Sequence, residues 1–171
     1  MKTSVVPLVR SGIPLAASLL LLCQAGAWAT DWPQYRGPTT DGISPDLIST
    51  SWPTAGPSVV WTNGSLTNGF SCLAVSGGRA FTLISKLDGS TLREYCVAVD
   101  AATGTNLWAT PIDVAPWNPA SSSGSDGGAG KSPCVTGDGP RTTPSVCAGR
   151  VLALSGQMKL VCLNTTNGSV I

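Results

Sequence analysis

The chain has 171 residues, enough for one ordinary domain, and only 11% of them are charged, with a formal net charge of +1. Lys2 and Arg10 lie in the leader, and without them eight basic residues face nine acidic ones, so no basic stripe offers itself to a nucleic acid or a membrane surface. Histidine is absent, which removes the commonest general base and zinc ligand; 20 Gly and 13 Pro favour short strands joined by many turns.

Residues 1–29 read as a secretory signal peptide. Lys2 and Arg10 give the positive start, and residues 13–22 form an apolar core too short to span a bilayer. Ala27-Trp28-Ala29 fits the small-x-small rule for cleavage after Ala29. Leu22 before Cys23 argues against acylation of that cysteine, because a small residue belongs there. No other run is long and apolar enough to cross a membrane, so the expectation is an exported protein, periplasmic or secreted, without a membrane span.

Residues 30–58 contain four prolines between 31 and 53, little periodicity and the aromatics Trp32, Tyr35 and Trp52. They predict an extended, irregular segment that lies against the domain, since disordered tails are poor in aromatics. Residues 59–110 predict an orphan strand ending at Trp61 and then a four-stranded antiparallel unit. In that unit, two apolar runs flank Gly77-Gly78, residues 85–93 form a polar loop, 94–100 return as a third strand and 106–110 as a fourth. Asp100 is placed to close an Asx turn, Gly104 to end it with a positive φ, and Trp108 to fill a gap between packed sheets.

Residues 111–140 predict an insertion, with Ser and Gly filling almost all of 121–130. Its run from Ser125 to Ser132 approaches a phosphate-binding loop. It lacks the first Gly and a preceding strand, and Pro133 prevents a helix from following, so it reads as linker. Residues 141–171 predict an incomplete second unit. Gly149-Arg150 repeats Gly78-Arg79 after 71 residues, and Asn164 repeats Asp100 after 64. In the second copy Cys162 replaces Ala98, Asn164 replaces Asp100 and Asn167 replaces Thr103.

The set Ala98, Asp100, Thr103, Gly104 and Trp108 resembles the tryptophan-docking repeat of the pyrroloquinoline-quinone-repeat, or quinoprotein-like, β-propeller family. An ordinary β-hairpin with a Trp in its second strand would account for one copy, but not for the second. The start Trp32-Pro33-Gln34-Tyr35-Arg36-Gly37-Pro38 is similar to that of exported members of the family. The resemblance implies an all-β propeller of four-stranded blades, about eight in the complete ring. Two are present here, which reads as the N-terminal piece of a longer protein whose last strands would complete the blade begun at Trp61.

For function, the resemblance implies two classes. The first is a non-catalytic exported propeller that binds a protein partner in the cell envelope, as the lipoprotein of outer-membrane β-barrel assembly does. It carries no cofactor, and any small-molecule ligand is unspecified. The second is a dehydrogenase that holds pyrroloquinoline quinone and calcium and oxidises an alcohol or sugar. The sequence lacks the two adjacent cysteines of alcohol-oxidising quinoproteins and any acidic cluster, which favours the first class. No catalytic or metal-binding residue is therefore assigned. Arg141, in Gly139-Pro140-Arg141-Thr142-Thr143-Pro144, is the one candidate contact to an anionic ligand, and a loop Arg bonded to nearby carbonyls is the alternative. Cys72, Cys96, Cys134, Cys147 and Cys162 read as small buried apolar residues or as one or two disulfides. Asn63, Asn164 and Asn167 begin glycosylation sequons in what looks like a bacterial export product, and modification is discounted.

Overall fold

Strict alternation along residues 94–100 places Glu94, Cys96 and Ala98 on one side of a strand and Tyr95, Val97 and Val99 on the other. All six are buried, so this strand has cover on both faces. The computed structural model describes residues 29–116 and 139–171. Most of the leader with Cys23, and the Ser/Gly-rich part of the insertion with its phosphate-loop-like run and Cys134, lie outside the described residues.

The described chain is all-β, with two antiparallel sheets and no helix. The first sheet has the order β1 (Ala74–Ser76), β2 (Arg79–Asp88), β3 (Thr91–Asp100), β4 (Asn106–Val114). The second has the order β5 (Ser145–Cys147), β6 (Arg150–Leu154), β7 (Leu160–Asn164). Among the described residues no helix is long and apolar enough to cross a membrane.

The structure corrects the sequence reading at three places. Residues 85–93 are not a polar loop: β2 and β3 run on to the pair Asp88↔Thr91, joined by Gly89-Ser90. Gly89 takes φ +61°, the conformation that a two-residue hairpin turn asks of its first central residue. The fourth strand continues past Thr110 to Val114. It passes through Pro111, which an edge strand tolerates because no neighbour needs the missing N–H. Residues 59 and 60 have no strand partner, and Val59 and Val60 are largely exposed.

The core between the sheets joins Phe81, Leu83, Cys96, Ala98 and Ile112 of the first to Val151, Ala153, Val161 and Leu163 of the second, with Trp108 packed against it. Phe81, Leu83, Val151 and Leu163 are essentially fully buried, each contributing about 1.5–3 kcal/mol of transfer free energy. A smaller cluster of Ala80, Ile84, Tyr95, Val97 and Val99 on the outer face of the first sheet is covered by Leu66 and Val75. The two sheets meet through different faces: Phe81 lines the contact, whereas its repeat counterpart Leu152 is 40% exposed. Such a contact is heterologous, one unit's front on the next unit's back.

The N-terminal segment lies across both sheets. Trp32 and Val75 exchange two backbone hydrogen bonds of 2.8 Å, and the Pro33 carbonyl accepts the Val146 N–H at 2.7 Å. The Asp31 carboxylate accepts the Ser76 hydroxyl at 2.8 Å and the Gly77 N–H at 3.2 Å. The edges of β1 and β5 are thus capped by one strap, which is the contact expected of residues 31–33. Further along, Tyr35, Leu47 and Trp52 are exposed, so of the three aromatics in this segment only Trp32 is held against the domain.

Candidate functional site

The structure brings the five docking residues together and shows what each does. Asp100 Oδ1 accepts the N–H groups of Ala102 at 3.0 Å and Thr103 at 2.8 Å, and the Thr103 hydroxyl at 3.0 Å. Those bonds, the Thr103 hydroxyl first, hold its carboxyl below the usual aspartate range. Gly104 ends the turn at φ +71° and donates its N–H to the Asp100 carbonyl at 2.8 Å. Ala98 is the fully buried cross-strand partner of Trp108.

Trp108 leaves its own sheet for the next. Its Nε1–H donates to the Thr165 carbonyl at 3.1 Å, and its ring lies on Gly168, where a Cβ would fall 2.6 Å from Cδ2. The Phe81 ring stands behind it, centroids 5.9 Å apart. Trp61 does the same one unit earlier: its Nε1–H donates to the Ala101 carbonyl at 3.1 Å, and its ring covers Gly104. Only glycine fits beneath either indole.

The second turn keeps the pattern with Asn164 in place of the aspartate. Asn164 Oδ1 accepts from Thr166 at 2.8 Å and Asn167 at 3.3 Å, and its carbonyl accepts the Gly168 N–H at 2.9 Å. An amide oxygen serves the turn as a carboxylate does.

One further component was not read from the sequence. Two residues after each Trp, a side chain donates to the carbonyl of the covered glycine. Asn63 Nδ2 reaches Gly104 at 2.7 Å, and Thr110 Oγ1 reaches Gly168 at 2.7 Å. The signal lay in the sequence as a donor at the same offset from Trp61 and Trp108, hidden because the two residue types differ. The Asn63 amide also donates to Asn106 Oδ1 at 2.8 Å, so this sequon residue is engaged in structure.

No family model matches the chain, and no curated protein matches it. Arg141 is exposed, with its guanidinium 5.4 Å from the centre of the Phe70 ring. Its neighbours bind the first sheet's approach: the Pro140 carbonyl accepts Phe70 N–H at 2.7 Å and the Thr142 carbonyl accepts the Ser71 hydroxyl at 2.7 Å. Arg141 is not part of the docking constellation.

Cys72, Cys96, Cys147 and Cys162 are free thiols, so none of these four pairs with another. Cys96 fits the buried-apolar reading, and burial pushes its thiol up to about 12. Cys72 and Cys147 are exposed and do not fit it. Among the described residues no three of His, Cys, Asp or Glu converge to hold a metal ion.

Proposed function

We propose that the chain is part of an exported β-propeller of the pyrroloquinoline-quinone-repeat type, and that it acts as a non-catalytic binding or scaffold module for a protein of the cell envelope. The observation that carries this reading is the twice-made seat: Trp61 on the Ala101–Gly104 turn and Trp108 on the Thr165–Gly168 turn, in the same geometry. A front-on-back contact that recurs is the means by which a radial array grows, and rigid arrays present loops to partners. The conspicuous polar side chains of the site, Asp100, Asn164, Asn63 and Thr110, are all engaged in holding turns and seats, which supports a structural rather than a catalytic role.

The test uses the full chain expressed with its leader. Photo-crosslinking from exposed loop positions is expected to trap a discrete envelope protein, and Trp108→Ala is expected to abolish the adduct. Purified protein supplied with pyrroloquinoline quinone, calcium and an electron-accepting dye is expected to leave the dye oxidised in the presence of alcohols or sugars. Substrate-dependent dye reduction would overturn the scaffold reading in favour of a quinoprotein dehydrogenase.

A further inference from the structure

The polar contacts between the sheets gather at one end of their interface. Glu94 points from β3 towards the second sheet and is fully buried. Its carboxylate accepts the Gly156 N–H, at 3.2 Å to Oε1 and 3.0 Å to Oε2. Across the ladder, its partner Asp113 on β4 accepts the buried Ser155 hydroxyl at 2.7 Å and the Val114 N–H at 2.9 Å. Ser155 Oγ in turn accepts the N–H groups of Gln157 at 3.2 Å and Lys159 at 3.0 Å, and Gln157 Nε2 donates to the Val114 carbonyl at 2.6 Å. The turn of residues 155–159, between β6 and β7, is therefore gripped by two carboxylates of the first sheet.

This is an unfavourable place for two negative charges. The Gly156 N–H is the donor to Glu94 among the described residues, and no lysine or arginine pairs with either acid there. The charges on the neighbouring strands belong to the opposite face. Lys86 Nζ stands 4.4 Å over the Tyr95 ring, and Arg93 Nε lies 3.1 Å from Asp88. From β2, the residue opposite Glu94 is Ser85, which is neutral. From the second sheet, Lys159 offers its backbone N–H to Ser155, and its side chain lies in an exposed turn. Among the described residues, Asp113 is thus the charge that faces Glu94.

We propose that Glu94, Asp113 and the 155–159 turn form a proton-operated latch that tightens the contact between the two sheets when Glu94 takes up one proton from solvent. Neutral Glu94 keeps an oxygen for the Gly156 N–H and no longer repels Asp113. Burial, and then the Asp113 charge, raise the Glu94 carboxyl above its ordinary 4.5 against the smaller pull of the Gly156 bond. A raised value means that the stabilisation is complete below 4.5 and is lost as pH rises through the folded-state value. Asp41, Asp46 and Asp100 are all lowered from 3.8, so their effects fall below this window.

The test is denaturant unfolding of the full chain between about pH 8 and pH 4.5, the ordinary value at which the rise nears completion. For wild type, the folded-to-unfolded ratio is expected to rise on acidification, with a slope of at most about tenfold per pH unit, the limit for one proton. Glu94→Gln keeps an oxygen acceptor and removes the charge. It is expected to flatten that rise and to be at least as stable as wild type at about pH 8. An unchanged slope in Glu94→Gln, or a variant weaker than wild type at that pH, would overturn the proposal. Should the variant not fold, the carboxyl carbon resonance of Glu94 in wild type decides: a midpoint above 4.5 supports the latch and one at or below it refutes it.

Discussion

Trp61 and Trp108 each bring a ring to a glycine and an N–H to a carbonyl, and the two contributions separate by mutation. Trp108→Phe keeps most of the ring and orphans the Thr165 carbonyl, at an expected cost of about 1–2 kcal/mol. Gly168→Ala forces a methyl into the indole at a residue whose φ is +71°, and about 3 kcal/mol is expected from clash and backbone strain together. Chemical denaturation of both variants measures the difference. At the first turn, Asp100→Asn keeps an acceptor oxygen, as Asn164 does, but loses the charge, so it is expected to lower Tm less than Asp100→Ala, which removes three acceptor contacts. Cys96 is held as an inert thiol, since burial pushes it up to about 12. In single-cysteine variants, a maleimide is expected to label Cys72 and Cys147 in the native protein and Cys96 only on unfolding.

At the scale of elements, the strap of residues 31–33 takes the role that another strand would have at the edges of β1 and β5. Deleting residues 31–37 is expected to speed amide exchange at Val75 and Val146 by about tenfold or more, while Val97 within β3 stays protected. Equal protection at all three sites would show that the strap holds nothing. The strap was legible in the sequence through Trp32, which is out of place in a free tail; Tyr35 and Trp52, which gave the same signal, are exposed. The hairpin at Gly89-Ser90 was not read, because Lys86, Asp88 and Arg93 give the run a polar look. In the folded chain that polarity faces solvent and pairs with itself, Arg93 to Asp88 and Lys86 over Tyr95, so it does not break the ladder. The Asx turns were fully legible, since Asp100 and Asn164 act through bonds two and three residues away. Nothing in the sequence marks Glu94, because its meaning comes from Gly156, which is 62 residues distant.

For the molecule as a whole, the front-on-back contact makes each sheet depend on the turn of the one that follows. A defect at Gly168 is expected to loosen the first sheet's Trp108 and to leave the Trp61 seat at Gly104 intact, because no described contact joins the two seats directly. Fluorescence of variants retaining Trp61 or Trp108 as the reporting indole distinguishes local from shared loosening. The repeat itself was visible in the sequence through Gly78-Arg79 and Gly149-Arg150. Which faces meet was not, since both sides of β3 are apolar and both are buried, one against the second sheet and the other under Leu66 and Val75.

The exchange of Asp100 for Asn164 gives the two otherwise matching turns unequal tolerance of acid. The first relies on an ionised group, and its contribution, present above 3.8, drains away as pH drops through the lowered value of that carboxyl. The second relies on an amide that has nothing to titrate. Strong acid should therefore weaken the turn beneath the indole at 61 while leaving the one beneath the indole at 108 as it was.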